Sequence, residues 1–270
     1  MLNLMKTRLH KTGTTLGPLT STVIGRACWA GEDEFPLSQL WADEIEKVLD
    51  FVEVQGQFKR YLSDLTASTS QRDSAIAELR VAFFFHRNQF DIVRWKPVGL
   101  HPKEGEFLVR GPLEVDTFVE VKSPGWEGQL SGAELKAGRP KQPKYLNGDF
   151  RSIASWERIK FAVDKAYEKF SPDKPNLLVV VDDLFVHLKC IHARQALCGT
   201  YEADGTTYKA GCFSSSKYQN LGGVGIFLVK NNSKEISYEM KLFLNPYTHI
   251  ALPDDLRQTF HGLVLTWENC

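Results

Sequence analysis

The sequence predicts a mixed α/β fold in which helices flank a central β-sheet, and three observations lead to this prediction. Apolar residues between Leu40 and Leu65 recur every three or four positions, which is typical of amphipathic helices. The stretch Val115–Lys122 is dominated by β-branched and aromatic residues, which is typical of a β-strand. The continuous apolar runs Leu177–Val181 and Val224–Val229 indicate strands buried on both faces. Patterns in this order favour helices packed on a mixed sheet.

The N-terminal part of the chain is predicted to be helical. Residues 1–33 lack any periodicity, and we expect them to form a flexible arm. One helix is predicted over Leu40–Leu65, and a second begins at Ser70 or Asp73, either of which can cap it, and ends near Arg87. Together these helices would form an N-terminal helical extension.

The strands of the sheet are predicted to begin after the second helix. We expect strands over Phe90–Trp95, Glu106–Val109 and Val115–Lys122, with a turn at Arg110–Pro112 between the last two. The following stretch, 124–148, is rich in Gly, Pro and Lys and is predicted to be a long loop.

The rest of the chain is predicted to complete the same domain. A helix is expected over Ile153–Phe170, and Ile236–Leu244 alternates as a strand does. We therefore predict a single α/β domain over 34–270, with its core at about 70–185 and a β-rich C-terminal part over 186–270.

Composition excludes some classes of function. Among the 270 residues, 43% are hydrophobic and 24% are charged, which is sufficient for a substantial core. The 33 basic residues equal the 33 acidic ones, so any site for a polyanion must be local. No apolar run reaches the length of a transmembrane helix, and we expect no membrane partner. The five cysteines are irregularly spaced and no export signal is recognisable, so a reduced, cytoplasmic setting is expected.

The strongest candidate site lies on the strand that ends at Lys122. Side chains alternate along a strand, so Asp116, Glu120 and Lys122 should share one face. Glu106 precedes them, and Glu78 lies on the second predicted helix. Proteins often hold Mg²⁺ by one or two carboxylates, with water and substrate phosphate as the other ligands. A nearby lysine can orient the attacking water or neutralise the transition state.

These residues resemble the PD-(D/E)xK superfamily of nucleases, which have the restriction-endonuclease-like fold. The resemblance covers about Ser74 to Val181 and is carried by the motif Val119-Glu120-Val121-Lys122, the segment Gly105–Val109 and the helix that contains Glu78. It implies that Glu106 and Glu120 bind Mg²⁺ or Mn²⁺, that Lys122 is the catalytic lysine, and that Glu78 supports the site. It also implies hydrolysis of phosphodiester bonds in nucleic acid, in DNA or less often in RNA.

One feature departs from the family pattern. The family usually has Asp, often after Pro, where this chain has Gly105-Glu106. Asp116 is therefore an alternative first metal ligand, and a degenerate site is the other alternative. We predict a metal-dependent endo- or exonuclease, with DNA as the expected substrate. The alternative is a catalytically inactive nuclease-like fold that binds nucleic acid or a protein partner.

A basic stretch after the candidate strand offers a surface for phosphates. The cations chosen as nucleic-acid-binding candidates are Lys141, Lys144, Arg158 and Lys160. An ordinary solvated surface explains the same pattern equally well. Many nucleases of this type pair to cut two strands, so a homodimer is left open. The spacing of Cys190, His192 and Cys198 does not match common structural zinc sites.

Overall fold

The computed structural model describes residues 8–9, 14–24, 39–67, 69–99, 103–123, 155–182, 188–203, 206–209, 211–232 and 234–264. These residues divide into two compact units. The first comprises the described residues up to Phe83 and those between 230 and 237, and the second comprises the remainder. The prediction of one domain over 34–270 did not include such a division.

The first unit is mainly helical. Its elements are β1 (Arg8–Leu9), β2 (Thr15–Leu16), α1 (Pro18–Ile24), α2 (Gln39–Val54), α3 (Phe58–Leu65) and α4 (Thr69–Arg87), which continues into the second unit. A single helix was predicted over Leu40–Leu65, and this prediction was wrong. The chain breaks between α2 and α3, where Gly56 has a φ of 69°, a left-handed conformation that favours glycine.

Part of the expected flexible arm packs against α2. Leu16 and Val23 are buried, and the carboxylate of Glu46 on α2 accepts hydrogen bonds from the backbone N–H groups of Leu19 and Thr20, at 3.0 and 2.7 Å. N–H groups in the first turn of a helix have no partner within the helix, and Glu46 supplies one for these two groups of α1. Glu46 therefore caps α1 from a distant point of the sequence.

The described residues of the second unit include a sheet of seven strands. The elements after α4 are, in chain order, β3 (Asp91–Trp95), β4 (Phe107–Arg110), β5 (Asp116–Lys122), α5 (Ser155–Tyr167), β6 (Asn176–Asp182), α6 (Cys190–Cys198), β7 (Thr200–Ala203), β8 (Thr206–Lys209), β9 (Gly223–Asn231), β10 (Ile236–Leu244), α7 (Asp254–Thr259) and β11 (Leu263–Val264). The strand order is β11-β10-β9-β6-β5-β4-β3, and β7 and β8 form a separate two-stranded sheet. Strands β5, β6 and β9 are mutually parallel, whereas β3, β4 and β5 are antiparallel. The predicted mixed sheet is thereby confirmed.

Helices cover both faces of this sheet. On one face, apolar side chains of β5, β6 and β9 form a buried cluster with α5 and α6, including Phe118, Ile159 and Leu197. On the other face, Phe85 at the end of α4 packs against Phe107 and Phe260, with ring centroids 6.2 and 5.5 Å apart. The flanking by helices was predicted, but α6 was not, and it lies in the part expected to be β-rich.

The described helices include none that is both long enough and apolar enough to cross a lipid bilayer. The predicted loop 124–148 lies outside the described residues.

Candidate metal centre

Two carboxylates, one on β5 and one next to it, are buried together. Glu120 lies within β5, between β4 and β6, and its side chain is fully buried. Glu106 lies immediately before β4 and is 4% exposed. Its backbone N–H donates to the carbonyl of Val119 at 3.2 Å, which fixes it beside β5. The structure therefore brings together the two acids that the sequence proposed as metal ligands.

Three lysines surround this pair of carboxylates. The Nζ atom of Lys169 lies 2.8 Å from Glu120 Oε1 and 3.4 Å from Glu106 Oε1, so one ammonium group bridges both acids. Lys122 also contacts Glu120 Oε1, and Lys96 contacts Glu106 Oε2. Ammonium groups form strong, charge-assisted hydrogen bonds with phosphate oxygens, so the three lysines described here suit the binding of a phosphate group.

Local backbone geometry holds the lysines in place. Lys96 directly follows β3 with a φ of 50°, in the left-handed region, and its N–H donates to the carbonyl of Glu106 at 2.8 Å. A non-glycine residue in this conformation is strained and often belongs to a functional site. Lys169 lies in the turn after α5, where its carbonyl oxygen would be only 1.6 Å from a Cβ on Gly99. Residue 99 must therefore be glycine for the two segments to pack.

Steric crowding explains why residue 105, directly before Glu106, is a glycine. A Cβ on Gly105 would lie 2.1 Å from the ring of Phe118, which is itself buried on β5. Even the smallest side chain would collide there. Glycine at position 105 therefore leaves room for the Phe118 ring, which occupies the space that a side chain would need.

One oxygen of Glu120 is buried without a partner. Glu120 Oε2 is inaccessible to solvent and makes no hydrogen bond with any described residue, although Oε1 contacts two ammonium groups. A buried polar atom without a partner is costly and calls for an explanation. A carboxylate oxygen is a suitable ligand for Mg²⁺, so Glu120 and Glu106 fit the one or two carboxylates that usually hold this ion. Within the described part of the chain, no group of three or more His, Cys, Asp or Glu residues is arranged to hold a metal ion.

The surroundings shift the pKa values of Glu120 and Lys169. Burial raises the pKa of the Glu120 carboxyl, Lys122 lowers it and Glu106 raises it, with a net increase above the ordinary value. Burial alone would lower the pKa of Lys169, but Glu120 and then Glu106 raise it above its usual range. The two acids therefore favour the charged form of Lys169, whose ammonium group lies between them.

The other predicted residues lie elsewhere. Asp116 Oδ1 accepts a hydrogen bond from Arg110 Nε at 2.7 Å, and its Oδ2 lies 4.0 Å from Lys174. Asp116 is four residues from Glu120 on β5, or about 13 Å away at the usual rise of a strand. The structure therefore does not bring Asp116 to the carboxylate pair, and it favours Glu106 as the partner of Glu120.

The remaining candidates are placed as follows. Glu78 is a partly exposed residue of α4 in the first unit, so its supporting role stays a prediction. Arg158 and Lys160 lie on α5, where both are partly exposed, and Lys141 and Lys144 lie outside the described residues. His192 accepts a hydrogen bond at Nδ1 from the N–H of Lys189, at 3.2 Å.

Sequence reasoning missed two members of the centre. Lys96 could have been found by pairing β3 with β4, because Trp95 is opposite Phe107 and the next residue then faces Glu106. Lys169 was not among the residues predicted to form the site. Its role depends on how the end of α5 packs against β5, and the local sequence carries no signal for that contact.

Comparison with known proteins adds little to this geometry. No family model and no curated protein matches the chain. Among solved structures, the chain is similar to SfsA of Pyrococcus furiosus in complex with Ca²⁺, with 16% identity and a TM-score of 0.23. The match covers 63% of this chain and 60% of that one, which is less than two thirds of SfsA. The resemblance to the PD-(D/E)xK superfamily thus stays a prediction.

Proposed function

We propose that this protein is a nuclease that hydrolyses phosphodiester bonds of nucleic acid, with Mg²⁺ or Mn²⁺ held by Glu106 and Glu120. The observation that carries this proposal is the Glu120 side chain, which is fully buried beside a second buried acid and has one oxygen without a hydrogen-bond partner in the described part of the chain. Burying two carboxylates side by side is unfavourable for folding. Strongly perturbed groups of this kind are concentrated at functional sites.

Each residue of the centre has a role in this proposal. When bound, the metal ion lowers the pKa of a water molecule and stabilises negative charge on a phosphoryl oxygen. Lys122, which contacts Glu120, donates a hydrogen bond that orients the attacking water. Lys169 and Lys96 each contact Glu106, and they neutralise the charge that develops on the phosphate oxygens.

A surface on α5 supports nucleic acid as the substrate. The ring of Phe161 is 55% exposed, and Lys165 Nζ lies 4.4 Å from its centroid. Arg158 precedes Phe161 by one helical turn, so all three residues share one side of α5. An exposed aromatic ring between two cations suits stacking with an unpaired base and contact with its phosphates. DNA is the expected substrate, and single-stranded regions fit this surface best.

Cleavage assays with matched variants test the proposal. Single-stranded, duplex and branched DNA, and RNA, would be incubated with protein in Mg²⁺, Mn²⁺ or EDTA. We expect metal-dependent cutting that falls by about 10²-fold or more in Lys122→Ala, a loss typical of removing one transition-state donor. Lys241→Ala is the control, because Lys241 likewise lies two residues after a glutamate on a strand, 3.9 Å from Glu239, but is 45% exposed. Full activity of a folded Lys122→Ala, or no cutting by the wild type, would refute the proposal.

A second function is favoured by the lysines themselves. Lys169 bridges Glu106 and Glu120 and neutralises them without any metal ion. This arrangement suits an inactive nuclease-like fold that binds nucleic acid or a protein partner. Thermal unfolding in Mg²⁺ or Mn²⁺ separates the two functions, since an ion that binds the native state raises the melting temperature. An unchanged melting temperature favours the inactive fold.

A further inference from the structure

A separate pocket lies at the other end of β5 from Glu120. It has a volume of about 200 Å³ and is lined by Val93, Arg94, Leu108, Arg110, Asp116 and Lys174. Phe118 lies between Asp116 and Glu120 on β5 and is buried beneath Gly105. The pocket is therefore an opening distinct from the carboxylate pair.

Positive charge predominates in this pocket. Of its four charged lining residues three are cations, and Asp116 is the one acid. Asp116 accepts a hydrogen bond from Arg110 Nε at 2.7 Å and lies 4.0 Å from Lys174, so it holds these two cations in place. Glu114 also approaches Arg110, at 3.6 Å, but it is 77% exposed and its charge is screened by solvent. Asp91, opposite Arg110 in the pairing of β3 and β4, is exposed as well.

Arg94 is the unpaired cation of the pocket. It is exposed, and it makes no ion pair or hydrogen bond with the described residues. Arg94 lies opposite Leu108 in the pairing of β3 and β4, which directs it to the sheet face that also bears Asp116. A guanidinium group presents a planar set of donors that matches the geometry of a phosphate group.

We propose that this pocket binds a backbone phosphate of the nucleic-acid substrate. The phosphodiester bond that is cut would lie at Glu106 and Glu120, in the same nucleic-acid molecule. The inference rests on the proposed function and adds a second point of contact with the substrate. The two sites are about 13 Å apart along β5. A nucleic-acid strand covers this distance in a few nucleotides, since its rise in a duplex is about 3.4 Å per nucleotide.

Such a contact would position the substrate without taking part in the chemistry. Contacts to phosphates fix the register and orientation of a nucleic acid, whereas the reaction depends on groups at the scissile bond. Arg94 is therefore a positioning residue. Its removal should raise the KM for a long oligonucleotide and leave kcat unchanged.

The test measures the binding of a labelled single-stranded oligonucleotide by fluorescence anisotropy, in EDTA, over a series of salt concentrations. For Arg94→Ala we expect an affinity about 5- to 10-fold weaker than that of the wild type, and a slope of log Kd against log salt reduced by about 0.7, the value for one phosphate contact on a single strand. Arg94→Lys should recover the slope, because it restores the charge. Lys241→Ala, in which another exposed cation is removed, should change neither quantity.

The outcome is independent of whether the protein cuts nucleic acid. Unchanged affinity and slope in Arg94→Ala, or a loss of the same size in Lys241→Ala, would overturn the phosphate site even if the wild type is an active nuclease. Weaker binding in Arg94→Ala by a protein that cuts nothing would support the phosphate site and refute the catalytic function. A wild type that binds no oligonucleotide in EDTA would overturn the phosphate site, whereas the catalytic function is refuted only by the cleavage assay.

Discussion

Replacing Lys169 with methionine should destabilise the protein and strengthen the binding of metal ions by the carboxylate pair. Methionine has nearly the same length as lysine but no charge, so Lys169→Met removes the ammonium group that lies 2.8 Å from Glu120 and 3.4 Å from Glu106. Removing one partner of a buried ion pair typically costs about 3–5 kcal/mol. The Lys169 side chain is 26% exposed, and Lys122 and Lys96 remain in contact with the acids. We therefore expect a smaller loss than for a fully buried pair, of about 2–3 kcal/mol.

Urea unfolding followed by circular dichroism measures this loss. The matched control is Lys103→Met, since Lys103 also contacts a glutamate, Glu168, but the two side chains are 50% and 61% exposed. Exposed ion pairs contribute about 0–1 kcal/mol, so the control should remain close to the wild type. Mn²⁺ should then stabilise Lys169→Met more than the wild type, because no ammonium group competes for the same oxygens.

Two results would refute this reasoning. A loss in Lys169→Met no larger than that in Lys103→Met would mean that the ammonium group does not hold the two acids together. Equal stabilisation of Lys169→Met and wild type by Mn²⁺ would mean that the ion and Lys169 do not share a site.

Three further predictions concern pH, cysteine reactivity and packing. The pKa of Lys169 is higher in the folded state than in the unfolded state. Its contribution to stability should therefore be complete below the unfolded-state pKa and be lost as the pH rises through the folded-state pKa. Unfolding curves measured across pH should show this alkaline loss of stability in the wild type and not in Lys169→Met. Cys190 is exposed, whereas burial raises the pKa of Cys212 to about 12, so peptide mapping after brief alkylation at neutral pH should find label on Cys190 and none on Cys212. Gly105→Ala should cost about 1–3 kcal/mol in urea unfolding, because its Cβ would overlap the Phe118 ring.

Each of these predictions has a contradicting outcome. The same alkaline unfolding midpoint in wild type and Lys169→Met would refute the first. Early labelling of Cys212 would show that the packing around this buried thiol opens in solution. A Gly105→Ala protein as stable as the wild type would mean that the Phe118 ring has room to move.

The local pattern of the sequence was sufficient to predict β5 and the residues on its face. Alternation along the strand placed Glu120 and Lys122 on one side, and their contact follows from a spacing of two residues. The sheet and its covering helices were predicted from hydrophobic periodicity, which depends on near neighbours in the chain.

Features that depend on distant parts of the chain could not be predicted in this way. The capping of α1 by Glu46 and the contact of Lys169 with Glu120 join residues that are far apart in sequence. Asp116 and Glu120 share a face of β5, but whether they share a site depends on the neighbours of each, and Asp116 is paired with Arg110 instead. Alternation predicts the face of the strand on which a side chain lies. Which of the side chains on that face belong to one site depends on the packing of neighbouring elements, and the local sequence does not predict it.

Calorimetric titration of the metal-free protein with Mn²⁺ tests the central claim most directly. The account predicts that the wild type binds Mn²⁺ and that Glu120→Gln, which keeps the shape of the side chain but removes its charge, does not. Glu239→Gln is the control, because Glu239 is 39% exposed and also lies two residues before a lysine on a strand. A wild type that binds no Mn²⁺, or a folded Glu120→Gln that binds it as tightly as the wild type, would contradict the assignment of Glu106 and Glu120 as the metal centre.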